Sequence, residues 1–398
     1  MIVNLKRLTV LPICFSLFAC SKGGNSSTPP ASSLPAASIS NVSEDRDPAG
    51  SVYHFAVTLS IAAAGNVTIH YATQAGTAAE NTDYTAALGT LTIASGSKTG
   101  NIDVQVKGDS LRKANQVFYI QLDAPMNCTI KTSKGIGTII NENGLYLPVD
   151  NLGYSTPENY SGYTLAWADE FSTATIDANN WTFEIGGNGW GNHELENYTN
   201  RTQNAFASNG NLIIEARQEG YNGSQYTSAR MITKNKKVFK YGRVDIRAKL
   251  PSTQGIWPAL WMLGNNIDAA GWPACGEIDI LEMLGHEPNK IYATMHWGAT
   301  FALHQSKGTN YVLSPVSFDQ QFHVYSMDWD ADGIKIYIDD LLYFTGKATD
   351  VLGSPNPFND NFFFIFNIAV GGDWPGAPDN TTVFPQRMVV DYIRMFQK

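Results

Sequence analysis

Between residues 35 and 144 apolar and polar side chains alternate in short runs, among them Tyr53-His54-Phe55-Ala56-Val57-Thr58-Leu59, Val67-Thr68-Ile69-His70-Tyr71 and Val117-Phe118-Tyr119-Ile120-Gln121-Leu122. A period of two puts successive side chains on opposite faces of a strand. Gly, Asn and Asp interrupt the runs roughly every ten residues, as in a small β-sandwich. The same period returns after residue 150 in Leu212 to Arg217, Arg243 to Ala248, Ile334 to Ile338 and Val389 to Met395. Few helical periods compete with it. An all-β chain is therefore expected: a small N-terminal sandwich over 35–144, then a large sandwich of two curved antiparallel sheets over 145–398.

Composition sharpens the division. The chain has 398 residues, and all nine tryptophans fall at or after Trp167. Only 16% of residues are charged and 12% are aromatic, which excludes a disordered chain and points away from coiled coils. The net charge is −9, and no Lys/Arg cluster offers a phosphate-binding surface, so nucleic acid is not an expected partner.

Lys6 and Arg7 precede an apolar run from Leu8 to Ala19, too short to span a bilayer and the size of a secretion-signal core. It ends in Leu17-Phe18-Ala19-Cys20, which resembles the lipobox of bacterial lipoproteins. That resemblance implies a signal peptide over 1–19, a lipidated Cys20 and a lipid-anchored place in the bacterial cell envelope, on either side of the outer membrane. The Ser/Gly/Pro-rich stretch over 20–34 reads as a flexible tether. An ordinary signal peptide with a coincidental cysteine is the alternative. With Cys14 in the signal and Cys20 as lipid site, Cys128 and Cys275 fall in separate units and no disulfide is expected.

In the first unit, Ser43-Glu44, Gly76-Thr77-Ala78, Asp83-Tyr84, Gly89-Thr90-Leu91, Gly108-Asp109 and Gly137-Thr138-Ile139-Ile140-Asn141 occur in an order that resembles the Calx-beta family. The resemblance implies loop carboxylates able to hold calcium, here Glu44, Asp83 and Asp109. Ala114-Asn115-Gln116 stands where that family usually carries acids, so a passive spacer is the favoured role.

The chemistry lies in Gly276-Glu277-Ile278-Asp279-Ile280-Leu281-Glu282-Met283. Period two puts Glu277 and Asp279 on one face of a strand. Glu282, five positions on from Glu277, would point into the core of a regular strand, where an isolated carboxylate is costly. A β-bulge around Ile280 and Leu281 is expected to return it to the face of Glu277. Crowded acids raise one another's pKa, and one protonated plus one ionised carboxyl is what glycoside hydrolysis needs. A separation of about 5–5.5 Å between the two Glu carboxyls makes such an enzyme a retaining one. A solvated acidic strand face is the plain alternative. Tryptophans around the acids, Trp257, Trp261, Trp272 and Trp297, shift the balance because sugar rings stack on flat apolar surfaces. Each of them is equally a candidate for the core.

Gly276 to Glu282, preceded by Gly255-Ile256-Trp257-Pro258-Ala259-Leu260-Trp261-Met262-Leu263-Gly264, resembles glycoside hydrolase family 16, a β-jelly-roll family of retaining endo-acting enzymes. The resemblance implies Glu277 as nucleophile, Glu282 as general acid/base, Asp279 as the acid that orients and tunes the nucleophile, and His296 as support for the acid/base. Gly189 to Thr199 is similar to a laminarinase subsite segment, with Asn192 its best candidate. Arg230, Asn367 and Trp374 lie in further cleft-like segments, though Arg230 and Asn367 serve equally well as structural residues. Many family members hold a structural calcium, which would map to Glu170, the carbonyl of Gly210 and Asp391. No cofactor is expected for catalysis.

The expected substrate is β-1,3-glucan, with mixed-linkage β-1,3-1,4-glucan as the nearest competitor and agar or carrageenan less favoured. Transglycosylation uses the same intermediate. A non-catalytic glycan-binding lipoprotein is the alternative of another class. A monomer is expected.

Overall fold

A computed structural model describes residues 34–351 and 355–398. The lipobox and all but the last residue of the tether lie outside the described residues. The first unit is a sandwich of a four-stranded and a five-stranded sheet built between Ala36 and Ile140. Its strands alternate as the sequence pattern requires: Tyr53, Phe55, Val57 and Leu59 point inward along Ser51–Leu59 and the residues between them do not. Cys128 and Cys275 are both free and buried, one in each unit's core.

The second unit packs a ten-stranded sheet against an eight-stranded one. Phe362–Val370 runs through the middle of the smaller sheet and is buried along its whole length. Phe362, Phe364, Phe366, Ile368 and Val370 fill the core between the sheets, whereas Asn367 and Ala369, on the opposite face, line a cleft. One strand thus supplies both the apolar filling and part of the polar surface. Cleft residues follow the strand pairing: Arg230 stands opposite Asn367, Asn367 opposite Ala259, Ala259 opposite Glu282, and Glu277 opposite His296.

The two units are joined through a buried charge. Arg112, from the first, donates to Glu215 at 2.8 Å, and both side chains are fully buried. Its guanidinium lies 3.9 Å from the Phe206 ring centroid and also donates to the carbonyls of Thr202 and Gln203. Arg387 donates to the other oxygen of Glu215 at 2.6 Å. Removing one partner of a buried pair strands the other's charge and typically costs about 3–5 kcal/mol. Glu215→Ala is therefore expected to lose about that much unfolding free energy in urea titrations followed by tryptophan fluorescence. A loss under about 1 kcal/mol would show that the pair is not what holds the units together.

Candidate active site

Gly276 opens the catalytic strand at φ +79°, where a Cβ would meet the Phe362 ring and Pro357 at 2.9 Å. Glycine is the residue that tolerates both constraints. Glu277–Met283 then pairs with Lys290–Trp297 as Asp279 opposite Thr294 but Glu282 opposite Tyr292. Two residues, Ile280 and Leu281, thus face the single residue Ala293, which is the expected β-bulge. Ile278, Ile280, Leu281 and Met283 are buried in the core, and Glu277, Asp279 and Glu282 line the cleft. The carbonyl of Ile280 accepts from the Tyr343 hydroxyl at 3.2 Å, a tie between the two sheets.

Burial raises all three carboxyls. Glu277 is pushed up to about 8 by burial and then by the charge of Asp279, against the opposing pull of His296 and the Trp272 indole. Asp279 is raised by burial. Glu282 is raised by burial and by Asp279 and Glu277. Near neutral pH the three therefore do not all ionise together, so a protonated carboxyl and a carboxylate can share one strand, the condition for acid and base roles. The two glutamates are held by different indoles: Trp272 donates to Glu277 at 2.8 Å and Trp257 to Glu282 at 3.2 Å. His296 Nε2 lies 3.2 Å from Asp279 Oδ2 and 3.8 Å from Glu277 Oε1.

The cleft holds about 720 Å³. The structure brings Asn192, Arg230, Trp257, Trp261, Trp272, Asn367 and Trp374 to its wall together with the three acids and His296. Trp374, 40% exposed, sets its ring edge-on to Trp257 at 5.4 Å. Arg230 is buried between the rings of Trp190 and Trp261, with Glu184 accepting from its Nε. Asn367 accepts from Trp261 at 2.7 Å and donates to the Tyr198 hydroxyl, which donates to Glu194. Asn192 donates to the other Glu194 oxygen at 3.0 Å. Glu194, Tyr198, Phe301 and His304 belong to the site and were not singled out by sequence reasoning. The first two lie within the Gly189 to Thr199 segment, of which Asn192 alone was named, and the last two come from a turn after His296.

Trp297 corrects an expectation. It follows His296 on a strand, so it points the other way, into the core, where it is 3% exposed and edge-on to Phe358. It is no sugar platform. The calcium sets are also differently arranged from expectation. Glu170 accepts two hydrogen bonds from Arg394, and Asp391 accepts one from Arg247, so each carboxylate has a guanidinium partner and the set does not fit a cation as arranged. In the first unit, the buried Arg46 donates to Asp83 at 2.9 Å and to Asp109 at 3.3 Å. A guanidinium occupies the place where a divalent ion would need negative charge.

Two family models match: Glycosyl hydrolases family 16 over residues 192–394 and the Calx-beta domain over 41–142. The chain belongs to glycosyl hydrolase family 16. It is 40% identical over 256 residues to a beta-glucanase of Rhodothermus marinus, covering 62% of this chain and 89% of that protein. It is 38% identical to glucan endo-1,3-beta-glucosidase A1 of Niallia circulans, of which it spans 40%. The laminarinase catalytic domain from Thermotoga maritima superposes with a TM-score of 0.56 at 48% identity, over 59% of this chain and 98% of that domain. Family 16 membership accounts for the jelly-roll and for a cleft lined from the smaller sheet.

The raised carboxyl at Glu277 has a measurable consequence for this family 16 chain. The folded form holds its proton up to about pH 8, whereas the unfolded chain releases it near 4.5. The resulting stabilisation is full below pH 4.5 and lost as pH rises to 8. Glu277→Gln is expected to flatten the fall in unfolding free energy between pH 5 and 8, by about 2–4 kcal/mol, read from denaturant midpoints. An unchanged slope would place the proton elsewhere.

Proposed function

We propose that this chain is an endo-acting, retaining β-1,3-glucanase. The observation that carries it is the bulge that sets Glu277 and Glu282 on one cleft face, each carboxyl bound to a separate indole. The β-1,3 linkage and the endo mode are supported by the relatives, described as glucan endo-1,3-beta-glucosidase and laminarinase.

In the first step Glu282, as general acid, gives its proton to the glycosidic oxygen while Glu277, in its ionised form, attacks the anomeric carbon. The C–O bond to the leaving sugar breaks and a covalent glycosyl ester forms on Glu277. In the second step Glu282, now a carboxylate, takes a proton from water, whose oxygen displaces Glu277 and restores the original configuration. Asp279, buried beside both, keeps the charge of the pair coupled. Trp257, Trp261, Trp272 and Trp374 offer ring faces and edges to the sugars, and Asn192, Arg230 and Asn367 offer hydrogen-bonding groups. A lipid anchor at Cys20 and a bacterial envelope location, supported by the sequence signal from Lys6 to Cys20, and a monomeric state complete the proposal.

Reducing-sugar release and product profiles on laminarin, barley mixed-linkage glucan and agarose test it, using the chain from Ser21 onward beside Glu277→Gln. The expected result is a ladder of oligosaccharides from laminarin, with the rate reduced by about 10³-fold or more in the variant. Faster cleavage of barley glucan would reassign the linkage. Binding without products would favour a glycan-binding protein.

A further inference from the structure

His296 is held in place by a residue from outside its own strand. The strand Lys290–Trp297 ends at Gly298, whose φ of +148° and close approach to the Leu303 carbonyl let the chain fold back sharply. A short helical turn, Phe301–Leu303, then returns His304 to the side of His296. The two imidazoles are nearly coplanar, at 18° with centroids 5.1 Å apart, and His296 Nδ1 lies 2.8 Å from His304 Nε2. On its other side His304 packs on the Trp272 ring at 4.8 Å, the same indole that donates to Glu277. Phe301, 77% exposed, covers Trp272 at 5.5 Å. One turn thus touches both the indole and the imidazole that flank Glu277.

We propose that His304 is a positioning residue for the reaction: its Nε2 accepts the Nδ1 proton of His296 and so aims His296 Nε2 at Asp279 and Glu277. This rests on the roles assigned under the proposed function. The charge environment agrees with the donor and acceptor roles. Burial and the neighbouring His296 lower the pKa of His304, which keeps it neutral and leaves one ring nitrogen free to accept. The groups facing the His296 imidazole are Glu277 and Asp279 on the adjacent strand, with His304 at its back. Glu282 on the same strand feels its charge, and Arg230, across the sheet, adds a further positive charge felt by Glu277. Without His304, His296 is free to rotate toward the cleft. Glu277 then loses the nearby positive charge of the His296 imidazolium, which pulls its pKa down, and keeps its own proton to higher pH.

The test compares His304→Phe, which keeps a ring against Trp272 but no acceptor, with His304→Gln, whose side-chain carbonyl can replace Nε2, both in the full chain. His304→Phe is expected to lower kcat on laminarin about 10–100-fold with KM little changed, and to move the acidic limb of the kcat/KM profile up by about one unit. His304→Gln is expected to recover most of the loss. A kcat and pH profile unchanged in His304→Phe, or a change confined to KM, overturns the proposal, as does a Gln variant no better than Phe. A second measurement needs no substrate. Side-chain ¹⁵N–¹H correlation spectra of the wild-type chain should show the His296 proton on Nδ1 when the imidazole is neutral. A neutral His296 protonated on Nε2 alone overturns the proposal, whatever the enzyme cleaves and whether or not the variants fold.

Discussion

Everything in the cleft depends on one extra residue in one strand. Without the bulge at Ile280 and Leu281, Glu282 would turn into a core already filled by Ile278, Met283, Phe362, Phe364 and Phe366. A buried carboxylate there has no partner, and the penalty would exceed any single contact in the region. With the bulge, two consecutive apolar residues point inward and the third acid rejoins the first two. Within the bulge, the carbonyl of Ile280 accepts from Tyr343 of the opposite sheet. Sheet packing and acid placement are therefore one problem with one solution.

The chain treats its buried acids in two ways. Asp83 receives a guanidinium group, and the Ala79 amide and Arg46 hold its carboxyl below its ordinary range despite the opposing effect of burial. Such an acid stays ionised to lower pH and serves the structure. Glu277 and Glu282 instead receive indole N–H groups, which give a hydrogen bond without a full positive charge. Burial then prevails and the carboxyls stay high, which leaves Glu282 a proton to give. Trp257 and Trp272 thus serve twice, as ring surface in the cleft and as donors that leave the acids exchangeable. Arg230 lies in the same cleft but is held by Glu184 and two aromatic rings.

Much of this was legible in the sequence because it follows from a period of two. The strand of acids, the need for a bulge between Asp279 and Glu282, and the change of composition between the units all come from residue order alone. Trp297 was misread because a tryptophan beside a histidine looks the same from either face until the register is known. His304 was invisible because its role depends on a turn that brings it back eight positions after His296. Arg46 and Arg394, which occupy the carboxylates expected to hold calcium, lie far in sequence from several of their partners, and no local pattern announces such pairs. The segment that holds Glu194 and Tyr198 was singled out, but not these two side chains, since the Asn367 that Tyr198 binds arrives from a strand some 170 positions later.

Trapping the glycosyl intermediate examines the whole account at its root. A laminari-oligosaccharide carrying fluorine at C2 of the reacting sugar and a good leaving group at its anomeric carbon slows both steps, but a reactive leaving group lets the first proceed. Mass spectrometry of the digested protein should then find one added glycosyl unit on the peptide that carries Glu277, and none in Glu277→Gln. An adduct on Glu282 or Asp279, or continued turnover of laminarin with inversion at the anomeric carbon, would contradict the arrangement that the bulge creates.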